Sequence, residues 1–467
     1  MTPPPPLHLR DPGAVLLVSC YELGHQPLGI AWPRAFLERA GYRPDHLDLA
    51  VESFDEAKVR RARFVGIAVP MHTALRLGVR VAERLKRVNP ACFVCFYGLY
   101  ALLNADYLLH HGADAVLGGE FEGPLVTLVE GLEREGGTSG PPAVAAPAPS
   151  LERLAYPVPE RDGLPELTRY VHLVRDGART PAGYVEATRG CLHHCLHCPI
   201  PPVYGGRFFA VPVPVVLADV RRLIAAGAGH ITFGDPDFLN GPGHARKVVR
   251  ALHAEFPAVT FDCTAKIEHI LARPEVFPEF AAAGCVFVVS AVESLSDVVL
   301  ANLDKGHTAA DVARALGVVR GAGIALRPSF VAFTPWTTLV DYLAMLAFVE
   351  AHDLVDDVDP VQYAIRLLIP PGSALLARPA IGPYLGPLDP AAFTYRWTHP
   401  DPRMDHLHRT VSQLIEQAGR AREEPRVTFA RVAEVTRAAA GALGASGGFR
   451  PPAPALRSPR LTEPWFC

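Results

Sequence analysis

The feature that most limits how this chain can fold is a series of short apolar runs without alternation, each followed by a stretch with helical spacing. Ala14-Val15-Leu16-Leu17-Val18-Ser19 is the first, and Phe64 to Val69, Phe93 to Tyr97 and Ala115 to Leu117 repeat it. A strand that is apolar at consecutive positions sends side chains to both faces of its sheet, so both faces must be covered. The intervening helices do the covering, as in the stretch from Gly29 to Ala40 closed by Gly41. This pattern predicts a doubly wound, Rossmann-like parallel sheet over residues 1–135.

From Gly136 the chain reads GGTSGPPAVAAPAPS, without amphipathic period, which predicts a linker over 136–165. Strand and helix then alternate again, with strands expected at Tyr184–Ala187, His230–Phe233, Thr260–Cys263, Val286–Val289, Ala325–Val331 and Gln362–Leu368. Repeats of this kind predict a (β/α)6 partial barrel over 166–375, with its site at the strand C-termini. Helical stretches from Arg403 to Arg422 and Val427 to Ala439 predict a small helical cap over 376–445, and 446–467 reads as a flexible tail. At 467 residues, two or three domains are expected.

Hydrophobic residues at 49% can fill packed cores, and a net charge of −3 from scattered groups leaves no electrostatic footprint for nucleic acid. The start, Met1-Thr2 followed by prolines, has no apolar signal segment, and no apolar run reaches membrane-spanning length. No membrane and a cytoplasmic location are therefore expected. The odd count of nine cysteines argues against a disulfide framework and for a reducing compartment with metal-bound thiolates.

Three of those cysteines crowd into Cys191-Leu192-His193-His194-Cys195-Leu196-His197-Cys198, a C-x3-C-x2-C loop just after an expected strand. Thiolates are soft anionic donors suited to iron–sulfur clusters, and three of them leave one iron of a [4Fe–4S] cube open. A zinc site that adds His193, His194 or His197 is the rival reading of the same residues. Cys92 and Cys95 sit within an apolar run, and Cys20, Cys263 and Cys285 lie in or at the ends of strands, so all five read as core residues.

The C-x3-C-x2-C loop after the first barrel strand resembles the radical S-adenosylmethionine (SAM) superfamily. The resemblance implies that Cys191, Cys195 and Cys198 hold a [4Fe–4S] cluster, that SAM chelates the open iron, and that an electron donor such as flavodoxin or ferredoxin drives reductive cleavage to a 5′-deoxyadenosyl radical. It further implies SAM contacts from Asp235, in Phe233-Gly234-Asp235-Pro236-Asp237-Phe238, and from Glu293 and Ser294 at the end of the fourth strand. Lys266 would neutralise the SAM carboxylate. The family more often ends the first of these motifs in Glu. On their own residue chemistry, Asp235 can start a turn, Ser294 can cap a helix and Lys266 can be solvated. Arg366 and Pro370-Pro371-Gly372-Ser373 read as a barrel-rim element.

The first domain resembles the cobalamin-binding domain that precedes many radical SAM barrels, through Gly98-Leu99-Tyr100-Ala101, Gly112 to Val116 and Gly118-Gly119-Glu120-Phe121-Glu122-Gly123-Pro124. Gly98, Gly119 and Glu120 are thereby implicated in cobalamin binding, since glycines at strand ends let backbone approach a flat ligand. Where relatives that ligate cobalt from below carry Asp-x-His-x-x-Gly, this chain has Glu22-Leu23-Gly24-His25-Gln26-Pro27-Leu28-Gly29. Either cobalamin then binds without a lower histidine, which is the expectation, or the domain has kept the fold and lost the cofactor. The expected activity is methyl transfer to, or rearrangement of, a small-molecule substrate. Transfer of a 3-amino-3-carboxypropyl group, sulfur insertion and a non-catalytic corrinoid or iron–sulfur sensor are the alternatives. The ending Glu463-Pro464-Trp465-Phe466-Cys467 resembles a group of such proteins whose tail runs from a Cys into a second Cys or selenocysteine and then Ala-Glu-Pro. That resemblance implies a possible selenoprotein and a catalytic role for Cys467.

Overall fold

The computed structural model describes residues 8–134, 148–441 and 458–463. The first domain is a six-stranded, all-parallel sheet: β1 (Val15–Ser19), β2 (Asp45–Asp48), β3 (Phe64–Ala68), β4 (Phe93–Tyr97), β5 (Ala115–Gly119) and β6 (Pro149–Ser150), in the order β2-β1-β3-β4-β5-β6. The expected Rossmann-like fold is therefore present. Every residue of β1 and β3 is buried, as their unbroken apolar runs require. The order reverses between β1 and β3, and such a switch point opens a crevice at the strand C-termini. β6 was not foreseen. It comes from the segment read as linker, where Gly119 at φ 73° lies so close to Ser150 that a Cβ would meet its carbonyl oxygen at 2.2 Å.

The second sheet is a curled half-barrel built from β7 (His172–Arg175), β8 (Ala178–Val185), β11 (His230–Phe233), β12 (Thr260–Thr264), β13 (Cys285–Glu293) and β14 (Ala325–Phe330). The short hairpin of β9 (Thr188–Gly190) and β10 (Phe208–Ala210) flanks the cysteine loop. Strands β8, β11, β12, β13 and β14 run parallel, and β7 pairs antiparallel to β8. The sixth strand expected at Gln362–Leu368 is instead a 3-10 turn at Pro360–Tyr363 and a single bridge, Phe333 to Arg366. Pro360 removes a ladder donor there, and the Gln362 side chain accepts from Phe330 N at 3.0 Å. The cap has helices Pro402–Ala421 and Pro425–Ala439 and an unforeseen hairpin, β15 (Leu385–Asp389) with β16 (Thr394–Trp397).

One continuous apolar core joins the two sheets, running from Leu28, Trp32 and Tyr156 into Val185, Val216 and Phe233 of the barrel. The segment between them is pinned by Arg161, whose guanidinium donates to Asp219 at 2.7 and 2.9 Å, to Gln26 at 2.9 Å and to the Tyr184 carbonyl at 2.8 Å. Among the described residues no helix is long and apolar enough to cross a membrane.

Part of the expected flexible tail is built into the barrel. β17 (Arg460–Leu461) pairs antiparallel with β7, and Leu461 packs with Leu173, Phe287, Val289 and Ala325. Its far side meets β14, where Arg327 donates to the Pro459 carbonyl at 3.3 Å. Cys467 lies outside the described residues. Removing residues 458–467 deletes the acceptor of the His172 N–H, the Thr462 hydroxyl at 2.9 Å. Hydrogen exchange should then quicken across His172–Arg175 and stay unchanged across Phe64–Ala68, which peptide-level mass spectrometry reads directly.

Candidate active site

The cysteine loop begins at Gly190, whose φ of 73° and 2.4 Å Cβ clearance to the Arg207 carbonyl leave room for glycine only. Three contacts then hold the loop over the barrel end. Leu192 N donates to Asn240 Oδ1 at 3.1 Å, Cys191 Sγ lies 3.7 Å from that oxygen, and Leu196 N donates to the Leu303 carbonyl at 3.0 Å. Burial pushes the Cys198 thiol up to about 12, and the neighbouring Cys195 and Cys191 thiolates push the same way. Burial likewise raises Cys191. Thiols raised in this way, Cys191 and Cys198, are readily held as thiolates by a bound cation, a demand that cluster iron meets. Among the described residues no set of donors within 4.8 Å joins these thiols to a histidine, as a single zinc ion would require.

A buried cation stands beside them. Lys305 is 3% exposed, and burial alone would lower its pKa, but Glu293 and the Cys195 and Cys198 thiolates raise it, so it stays an ammonium. Its Nζ lies 3.2 Å from Glu293, which also meets His197 Nε2 at 3.1 Å. Burial would raise the Glu293 carboxyl, yet Lys305 and His197 hold it well below the usual carboxylate range. Glu293, with φ 65°, thus ties the end of β13 to the cysteine loop. Ser294 Oγ accepts from Ser296 N at 3.1 Å, and Ser296, rather than Ser294, is the N-cap of the following helix.

Asp235 ends β11 and is 2% exposed. Its carboxylate accepts from Ala187 N at 3.0 Å and from the Thr188 hydroxyl, so it ties β11 to the approach to the cysteine loop. Burial pushes it up to about 7 against those bonds. Gly234 before it is required because the Tyr184 ring crosses the strand end, 2.1 Å from where a Cβ would stand. Lys266 is not solvated: its Nζ donates to Glu268 at 2.9 Å and to His193 Nδ1 at 3.1 Å. Arg366 pairs with Asp405 at 2.7 Å and lies over the Trp397 ring, fixing the cap to the rim.

The first domain's strand ends face this loop through Arg189, a residue the sequence reading passed over. Its guanidinium meets Glu122 at 2.7 Å, Glu186 at 3.0 Å and Glu120 at 3.7 Å, and lies over the Trp32 and Tyr156 rings. Glu120 is fully buried and accepts from the Tyr156 and Tyr204 hydroxyls, so its carboxylate is committed to the contact between the domains. Gly98, at φ 109°, and Gly119 line a cavity of about 310 Å³ shared by both domains, with Trp32, Tyr97, Glu186 and Arg189. Beyond the β1 turn lies a second cavity of about 640 Å³, lined by Tyr21, Arg76, Arg80 and Arg169 among others. A third, of about 280 Å³, occupies the barrel lumen between Asp235, Asp262, Arg327 and Glu463. His25 stacks on Tyr184 and meets Glu463 at 3.1 Å, turned toward that lumen.

Glu22, on the same β1 turn, accepts from Gly29 N at 3.0 Å. Burial, then the Asp48 and Glu186 charges, push its carboxyl up to about 8. A folded-state pKa above the ordinary value means stability that is full below about 4.5 and lost as pH rises through about 8. Glu22→Gln should therefore flatten the fall in unfolding free energy of the cofactor-free protein between about pH 5 and 8, by up to roughly 1.4 kcal/mol per pH unit in urea titrations. Identical slopes for variant and parent would contradict this.

The family model described as the radical SAM superfamily matches residues 185–334. The chain is similar to the ribosomal protein uS12 methylthiotransferase RimO of Geobacter sulfurreducens, at 27% identity over 42% of this chain and 48% of that one. It is also similar to an uncharacterized methyltransferase of Pyrococcus horikoshii, at 23% identity over 62% of this chain and 64% of the other. The chain thus spans about half to two thirds of the length of these relatives. Among solved structures, the cobalamin-dependent SAM radical enzyme OxsB, with aqua-cobalamin and SAM bound, shares the fold at TM-score 0.68 and 16% identity, over 86% of this chain and 66% of that one. The methyltransferase TsrM from Kitasatospora setae, with cobalamin and a [4Fe–4S] cluster bound, does so at TM-score 0.58 and 20% identity, over 73% of each chain. With the half-barrel, the cysteine loop and this match, residues 185–334 form a radical SAM domain, a kind of domain that works with a [4Fe–4S] cluster and SAM.

Proposed function

We propose that this enzyme is cobalamin-dependent and transfers a methyl group to a small-molecule substrate, with Cys191, Cys195 and Cys198 as the cluster ligands. The observation that carries the reading is the placement of the first domain's strand C-termini. They open onto cavities on either side of the β1 turn, and one of these is shared with Arg189, Gly190 and Ile200, which flank the cysteine loop. Bare backbone at Gly98 and Gly119 and the apolar wall of Trp32, Leu99 and Phe121 suit a flat macrocycle, while Arg76, Arg80 and Arg169 suit an anionic appendage. The likeness to OxsB and TsrM, both solved with cobalamin, supports it. His25 is turned to the barrel lumen, so no lower ligand comes from it.

When bound, the cluster and SAM supply a 5′-deoxyadenosyl radical and cobalamin supplies a methyl carrier. The chain's own residues do the rest. Lys305 sets a buried positive charge beside the anionic cluster site, and Glu293 holds Lys305 and His197 in place. Asp235, with Glu293, Ser294 and Lys266, forms the rim that SAM would meet. Asp235 is poised near neutrality and can exchange its hydrogen bonds with Thr188 and Ala187 for an ammonium. The lumen beneath takes the substrate away from bulk water. Flavodoxin or ferredoxin is the class of electron donor. A second reading, sulfur insertion, is favoured by the RimO relationship.

Anaerobically reconstituted protein should hold about four irons with matching sulfide and release 5′-deoxyadenosine from SAM and reductant. Alanine at Cys191, Cys195 or Cys198 should remove both iron and cleavage, and full activity in any of the three would sink the ligand assignment. Alanine at Cys92 or Cys95 should leave iron unchanged.

Added hydroxocobalamin should co-elute with the protein and make a methylated product, with a spectrum that His25→Ala leaves unaltered. A protein that cleaves SAM but retains no corrinoid would overturn the cobalamin part, and a thiolated product would establish the second reading.

A further inference from the structure

Three separate segments each bring one metal-ligating atom to a common point. His193 comes from the cysteine loop, Asp237 from the turn after β11, and His269 from the helix Ile267–Ala272 after β12. One donor atom from each lies within 4.8 Å of the other two. His269 Nδ1 is 2.7 Å and His193 Nε2 is 3.6 Å from the same oxygen, Asp237 Oδ2. All three atoms are buried, and none has a hydrogen bond of acceptable geometry. Close approach without alignment leaves three donor atoms turned to one point with no hydrogen bond among them.

We propose that His193, Asp237 and His269 bind one divalent first-row transition ion, of the zinc class, separate from the cluster. Ligands about 2.0–2.1 Å from zinc stand about 2.9 Å apart at a right angle and about 3.4 Å apart at the tetrahedral angle. The observed 2.7 and 3.6 Å straddle that range. Two imidazoles and a carboxylate suit zinc, iron(II) or cobalt(II) and leave a coordination position open.

The surroundings supply the second layer such a site needs. Asp237 is 2% exposed, and its other oxygen accepts from Leu239 N at 3.0 Å, which fixes the carboxylate plane with Oδ2 directed at the histidines. Binding through Nε2 leaves the His193 ring proton on Nδ1, and the Glu268 carboxylate, 3.7 Å from that atom, favours a proton there by its charge. Lys266 now donates to Nδ1 at 3.1 Å, and with the ion bound it would turn wholly to Glu268, already 2.9 Å away. The ion would clamp the cysteine loop to the ends of β11 and β12. Asn240, which touches Cys191, follows Asp237 on the same short turn.

The test is elemental analysis of the anaerobically reconstituted full chain after incubation with zinc chloride and desalting. The parent should retain about one zinc beyond its four irons and matching sulfide. His269→Ala and Asp237→Asn should lose zinc about tenfold or more while keeping iron and sulfide. His269→Cys, which restores a ligand, should keep the zinc and shows that the loss is not misfolding. A parent without retained zinc, zinc that survives in His269→Ala, or iron lost together with zinc would each overturn the proposal.

Discussion

The arrangement of this molecule depends on the charge cluster around Arg189. Glu120 and Glu122 of the first domain are both fully buried, and without a cation their ionised forms would be untenable at the contact. Burial pushes Glu122 up to about 7 even so, while the Arg189 charge pulls it down. Arg189 stands two residues before Cys191, so the group that neutralises the first domain also begins the cysteine loop. The apolar core that joins the two sheets supplies the area, and this charge cluster fixes where the strand ends of one sheet lie relative to the mouth of the other. The cavity they share is the outcome.

A similar logic governs the far side of the loop. Lys305, Glu293 and His197 form a buried set in which no charge stands alone, and its positive member is turned toward the thiols. Buried ion pairs of this kind contribute little net stability but are costly to break by halves, so they hold position. The loop is therefore fixed at its start by Arg189 and at its end by Lys305 and Glu293, with Asn240 between them.

How much of this was legible in the sequence follows from how local each signal is. Strands β1, β3, β4 and β11 declare themselves because burial on both faces forces a composition. β2 reads Asp45-His46-Leu47-Asp48 and does not, since an edge strand can spend polar side chains on neighbouring backbone, as Asp45 does on His46 N at 2.8 Å. β7 and β17 come from polar stretches that only the curled sheet brings together. The cysteine loop was legible because its spacing is itself the signal, whereas Arg189, Lys305 and Asn240 have partners far away in sequence. Asp235, Lys266 and Glu293 were singled out from the strand ends they occupy, whereas the partners that hold them could not be read from the sequence. Gly119 and Gly234 stand where backbone or a ring leaves no space for a side chain, and Gly98 where φ is 109°, constraints that only the folded chain reveals.

The strand that completes the barrel carries a consequence for biosynthesis. His172 and Thr462 are hydrogen-bonded across 290 residues of sequence, so β7 emerges from the ribosome long before its partner. Through that interval Leu173 and the inner faces of β13 and β14 lack the Leu461 side chain that later covers them, and His25 lacks Glu463. The lumen is thus more accessible in the nascent chain than in the finished one. The arrival of residues 458–463 then closes that side of the lumen.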